Sequence, residues 1–300
     1  MKSSIQVFFV TLLLSVVVTL QIRAQESPVI AEGAELTLVS DQFSFTEGPA
    51  ADSEGNVYFT DQPNNDIWIY TTEGEVNLFM DESGRSNGLY FDENGNLLAC
   101  ADEENELWSI TPYMEVEVLV DGYNGKSLNG PNDLWPDPKG GIYFTDPYYQ
   151  RGYWEHTEKE IEEERVYYLI PSREELIIVA DDLVKPNGII GTPDGNTLYV
   201  ADIGDRKTYS YSINEDGSLS NRALFTEMGS DGLTLDERGN LYLTGKGVTV
   251  FNKNGEQIEH IPVPQNWTAN VTFGGEDNQT LFITASTAVY TLEMKVKGSS

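Results

Sequence analysis

The stretch NDLWPDPKGGIYFTD, from Asn132 to Asp146, decides the fold, because relatives of it return along the whole chain. They read EGPAADSEGNVYFTD from Glu47, NGLYFDENGNLLACAD from Asn87, NGIIGTPDGNTLYVAD from Asn187, DGLTLDERGNLYLTG from Asp231 and a more divergent ANVTFGGEDNQTLFITA from Ala269. Each opens on a small polar and glycine cluster, passes through a tight turn and runs into a strand. Successive starts lie 40, 45, 55, 44 and 38 residues apart, the period of a four-stranded propeller blade and too long for most helical repeats. Six copies predict an all-β, six-bladed β-propeller of four-stranded blades, filling residues 25–300 as one domain.

The turn inside each copy is an Asp-x-x-Gly-Asn or a relative of it, as in Asp52-Ser53-Glu54-Gly55-Asn56 and Asp92-Glu93-Asn94-Gly95-Asn96. Glycine and asparagine accept the positive backbone angles that such turns require, and Val57-Tyr58-Phe59 or Leu241-Tyr242-Leu243 supplies the strand that follows. These acidic turns lack the full spacing of a calcium loop and read as structural. Later strands are visible as IWIYTT from Ile67, ELWSI from Glu106, VYYLI from Val166 and TYSYSI from Thr208. ELTLV from Glu35 precedes the first copy and is expected to close the ring against the last blade, since closure leaves no open sheet edge.

Lys2, an apolar run from Ile5 to Leu20 and the small residue Ala24 predict a secretory signal peptide over residues 1–24, and therefore a secreted or periplasmic protein. Cys100 is the sole cysteine, so no internal disulfide can form and stability has to come from the core. The formal net charge of −31 repels phosphate backbones and anionic lipid. Nucleic acid is excluded as a partner, as is a membrane once the leader is removed.

The longest interval between copies contains YYQRGYWEHTEKEIEEER, from Tyr148 to Arg165. Its charged half is expected to form a short helix, with Tyr149, Tyr153 and Trp154 over a pocket. Placed between the second and third strands of its blade, it would lie on the face where the copies open. In a propeller the innermost strands line the central channel, so Glu47, Asn132, Asn187 and Asp231 become one oxygen-rich ring. Two carboxylates and two amide oxygens suit one hard divalent cation. Calcium is the first expectation, with magnesium, manganese and zinc as alternatives. Asn87 holds the matching place in the second copy, as an outer ligand or substrate contact.

Through FTEGPAAD, LNGPNDLWPDPKGGIYFTDPYY, VKPNGI and GSDGLTLDERGNLYL, the chain resembles the senescence-marker/gluconolactonase (SMP-30/gluconolactonase/LRE) group of six-bladed propellers over essentially all of residues 25–300. The resemblance implies that Glu47, Asn132, Asn187 and Asp231 are metal ligands and that Asp231 is also the catalytic acid or base. It further implies substrate contacts in the segment from Asn129 to Asn132. One departure stands out: where many members carry Cys-Glu-His in the second blade, this chain has Cys100-Ala101-Asp102.

The implied chemistry is metal-dependent hydrolysis of a sugar lactone or related lactone or ester. A phosphotriester-type hydrolase on the same site, or a noncatalytic small-ligand-binding propeller, are the alternatives. No Gly-x-Ser-x-Gly elbow and no His-Glu-x-x-His pair occurs. Of the two histidines, His156 lies in the insertion and His260 beside a surface-type strand. Cys100 sits in an apolar strand and reads as a buried small side chain rather than a nucleophile. Asn266-Trp267-Thr268 has the form of a glycan sequon.

Overall fold

The computed structural model describes residues 27–299; the expected signal peptide over residues 1–24 lies outside the described residues. Strand formation follows the repeat. Thr46–Ala51 (β2), Val57–Asp61 (β3), Asp66–Tyr70 (β4) and Val76–Met80 (β5) form the first four-stranded antiparallel sheet, and the same unit recurs until six sheets surround one axis. The first strands are β2, Ser86–Phe91 (β6), Leu134–Pro136 (β10), Pro186–Gly191 (β14), Leu233–Leu235 (β18) and Asn270–Gly274 (β22). Each packs against the next around the full circle. The last sheet takes its outermost strand from the other end of the chain. Thr37–Ser40 (β1) pairs with Ala288–Glu293 (β24), as expected from ELTLV.

The core lies between blades. The second strands are buried on both faces, as in the small and aliphatic Leu97–Ala101 (β7) and the aromatic Ile142–Asp146 (β11), where every residue is buried. Cys100 is among them and fully buried.

The acidic turns are structural. Asp52 accepts the backbone N–H groups of Glu54 and Asn56 at 2.9 and 3.0 Å, and Asp92, Asp137 and Asp236 repeat the pattern two and four residues on. Gly55 and Gly140 hold φ of 89° and 87° there, a region that costs most other residues energy.

The insertion after β11 does not form the expected helix. Residues 147–164 are turns, bends and extended chain. Their polar groups are held from outside: Asn129 Nδ2 donates to the Glu163 carbonyl at 3.0 Å, and Lys126 Nζ to that of Glu160 at 2.9 Å. Ile161, within the charged half, is buried in the same apolar cluster as Tyr167 and Leu128. An apolar anchor in the middle of a charged run pins the chain in a path that a helix would not follow.

Candidate active site

The glycines after Glu47, Asn87 and Asn187 determine how their part of the ring is built. A Cβ on Gly48 would stand 2.0 Å from the Asn87 carbonyl oxygen, one on Gly88 2.5 Å from that of Asn132, and one on Gly188 2.7 Å from that of Asp231. At these three openings the backbone therefore passes directly over that of the next blade, which only glycine permits. Pairing also breaks register at the openings of β2, β6 and β14. Such bulges turn side chains out of the pleat, here those of Glu47, Asn87 and Asn187. The openings are locked from outside as well. Thr60 Oγ1 donates to the Asn87 carbonyl at 3.1 Å, and Thr145 Oγ1 to that of Asn187 at 2.7 Å.

At this end of the channel, Asn187 Nδ2 donates to Asp231 Oδ1 at 2.8 Å and to the Tyr149 hydroxyl at 3.0 Å. Trp267 Nε1 donates to Asp231 Oδ2. Glu47 is 3% exposed, and its carboxylate accepts only the N–H of its own neighbour Gly48, at 3.1 Å. Burial and then the charge of Asp231 push the Glu47 carboxyl well above its ordinary range. Burial raises Asp231 too, against its bonds from Trp267 and Asn187. Asn132 is 5% exposed, and its side chain makes no hydrogen bond among the described residues. Beside it, Asp133 is pushed up to about 7 by burial, although the N–H groups of Leu134 and Ile189 oppose the shift.

The remaining expected contacts make no hydrogen bond to either carboxylate among the described residues. Asn87 is buried in the second blade's opening, between the first blade and Asn132. Asn129 is buried in the wall, where its amide nitrogen ties down the insertion; its Oδ1 has no partner. Tyr149 reaches the site from the insertion. His156 stacks on Trp154 with ring centroids 4.7 Å apart, and His260 Nδ1 lies 3.1 Å from Thr249 Oγ1. Among the described residues no three His, Cys, Asp or Glu side chains gather as a metal-binding group, since the ring supplies two carboxylates and otherwise amides.

Sequence reasoning missed Trp267, which it read only as the middle of a sequon. It also missed the partners of Asp102. This carboxylate accepts from Gln62 Nε2 at 3.2 Å, from Arg151 Nε at 2.8 Å and from the Tyr153 hydroxyl, while Trp154 Nε1 donates to its backbone carbonyl. The only sequence signal was the departure at Cys100-Ala101-Asp102.

Residues 45–287 match the family described as SMP-30/Gluconolactonase/LRE-like region. A gluconolactonase of Zymomonas mobilis is 33% identical over 197 residues, 60% of this chain and 55% of that enzyme. The lactonohydrolase oryL of Aspergillus oryzae is 27% identical over 212 residues, 61% of this chain and 48% of its own. The chain thus spans about half the length of these curated relatives. Among solved structures, a gluconolactonase from Xanthomonas campestris superposes with a TM-score of 0.81 at 30% identity, over 87% of this chain and 90% of that one. The calcium-binding protein regucalcin from Agrobacterium tumefaciens shares the fold, with a TM-score of 0.73 at 17% identity, over 88% and 95%. The continuous family match, on six blades with their openings gathered at one channel mouth, leaves one assignment: the chain belongs to the SMP-30/gluconolactonase/LRE-like family.

Proposed function

We propose that this protein is a metal-dependent lactonase that opens a sugar lactone or a related lactone by adding water. The observation that carries the reading is the buried Glu47 carboxylate beside the half-buried Asp231, which is bonded to Asn187, with the nearly buried Asn132 at the opening of the third blade. Family membership and the lactonase activities of relatives support it.

The donor set fits a hard divalent cation, calcium first. It is all oxygen. Glu47 is nearly buried with one N–H donor, Asn132 is nearly buried with none, and the Asn187 amide nitrogen is engaged while its oxygen is left over. Glu47, Asn132, Asn187 and Asp231 would hold the ion. Bound there, it would supply Lewis-acid polarisation of the acyl oxygen.

The protein's own groups account for the rest. Asp231 is fixed by its bonds from Asn187 and Trp267 and serves as the proton shuttle; a cation held beside it would lower its proton affinity. Asp231 takes a proton from the attacking water and returns one to the ring oxygen. The water oxygen bonds to the acyl carbon, the ring C–O bond breaks, and a hydroxy acid leaves, ionising to its carboxylate. Asn87, Asn129, Asn132 and Tyr149 would contact the substrate. We further propose that residues 1–24 are removed on export to a periplasmic or extracellular space; N-terminal sequencing of the exported protein should begin at Gln25.

Proton release from purified protein, measured against a panel of aldonolactones and simpler lactones, tests the activity. Turnover should vanish with chelator, return with calcium and be lost in D231N while the circular dichroism spectrum is kept. Turnover indifferent to chelator would sink the metal reading. A folded, calcium-loaded protein silent across the panel would sink the lactonase reading.

A further inference from the structure

The second blade has alanine where three other blades end their second strand on aspartate, and carries an aspartate one residue later. At the end of the second strand, Asp61, Asp146 and Asp202 each cap the loop entering their own blade. They accept the N–H groups of Ser44 and Phe45, of Asn129 and Gly130, and of Val184 and Lys185, respectively, at 2.8–3.1 Å. In the second blade Ala101 ends the strand at that position, and Asp102, one residue further on, caps nothing. Its own blade's entry loop is held by Asn65, whose side-chain oxygen accepts the Arg85 N–H at 2.6 Å. Asp102 is 2% exposed and accepts only side chains, from Gln62 of the first blade and from Arg151 and Tyr153 of the insertion.

The group it holds is unusual in so acidic a chain. Arg151 is 23% exposed at its side chain, donates to Asp102 through Nε alone, and leaves both Nη groups without a hydrogen bond among the described residues. Its guanidinium lies 5.5 Å from the centroid of the Tyr149 ring, whose hydroxyl accepts from Asn187. Through Tyr149 the guanidinium adjoins Asn187 and so the mouth of the site. A half-buried guanidinium fixed through Nε, with a free pair of Nη groups, has the geometry of a two-pronged carboxylate receptor.

We infer that Arg151 is a substrate-contacting residue that receives the oxygens of the acyl carbon as they become a carboxylate, and that Asp102 is the residue that positions it. The role of Arg151 in turnover rests on the lactonase reading above; its role as an anion receptor stands on the geometry alone. Negative charge moves onto the acyl oxygens when water adds and the ring C–O bond breaks, so the contact strengthens along the reaction and is greatest in the hydroxy-acid product.

The test is calorimetric titration of D-gluconate into calcium-loaded wild-type protein, R151M and D102N, with glucono-lactone turnover measured on the same samples. Gluconate affinity should fall at least about 10-fold in R151M and by a smaller factor in D102N, where an amide oxygen still meets Nε. In turnover, kcat should fall on the order of 10²-fold in R151M while KM for the neutral lactone changes little. Added guanidinium should restore part of the turnover of an R151A variant, which a merely structural role would not allow. Equal gluconate affinity in wild type and the variants, or no binding by any, overturns the inference. Lactone turnover by wild type with unchanged gluconate binding in R151M would overturn this inference alone. Arg151-dependent gluconate binding by a protein silent on lactones would support the receptor and count against the lactonase reading. Should R151M fail to fold, D102N and R151A carry the same comparison.

Discussion

The two ends of the innermost strands carry the same chemistry in opposite states. At one end Glu47 opens its blade; at the other, a few residues further along the same kind of segment, Asp52 and its counterpart Asp236 sit in turns. All are carboxylates of one repeat, yet the turn aspartates are saturated. Asp236 accepts two backbone N–H groups, the Asn240 amide at 2.7 Å and the Tyr242 hydroxyl at 3.0 Å. Glu47 has one donor, from its own neighbour. Saturation fixes a carboxylate as part of the scaffold, and a buried carboxylate short of donors is paired or coordinates a cation.

The largest way to break this contrast is E47Q. Removing a ring charge should cut lactone turnover on the order of 10³-fold, read as kcat/KM, and wild-type-like turnover in E47Q would remove Glu47 from the ring. Next comes chelation. A cation that binds only the folded ring, at 100 times its dissociation constant, stabilises by about 2.7 kcal/mol, so chelator should lower the thermal midpoint by several degrees and calcium should restore it. In E47Q the midpoint should no longer respond to calcium. At the other end of the strand, D236A should cost about 1–3 kcal/mol in urea unfolding, because it strands buried donors. It should leave kcat and the calcium response as in wild type; a loss of the calcium response in D236A would erase the distinction between the two ends.

The repeat made the fold legible: periodic turns flanked by strand-forming residues specify the blades, and closure by residues near Glu35 follows from the cost of an open edge. The meeting of Asn187 and Asp231 was legible too, since equivalent positions of a closed repeat converge. What sequence could not give was the reason for the glycines after Glu47, Asn87, Asn187 and Asp231. They read as turn residues, whereas Gly48, Gly88 and Gly188 are where one blade's backbone runs against the next, a contact between segments about 40 residues apart. The insertion failed for a related reason. Its charge pattern is locally helical, and the groups that override it, Lys126, Asn129 and the pocket for Ile161, lie elsewhere in the chain. Trp267 and Arg151 carry no local signal, because each acts on a partner in another blade or at that blade's edge.

The smallest expected effect separates two aspartates that both accept backbone N–H groups. Asp194, in the fourth blade's turn, is exposed and held below the usual carboxylate range by its bonds from Thr192 and Asn196. Asp146 is buried and pushed up to about 7, with the N–H groups of Asn129 and Gly130 opposing the shift. The two give stability slopes of opposite sign. Between the ordinary value of 3.8 and about 7, the folded state holds a proton on Asp146 that the unfolded chain has lost, so stability falls as pH rises through that window and levels off above it. For Asp194 the unfolded chain is the one that binds protons more readily, so its contribution is present above the ordinary value and is lost as pH falls through the lowered one. Urea midpoints at pH 6 and pH 7 on chelated protein read the first term directly. Wild type should lose about 1 kcal/mol relative to D146N over that step, and D194N should track wild type across it. Parallel curves for wild type and D146N would mean that the two backbone donors outweigh burial, and that Asp146 behaves as one more turn carboxylate.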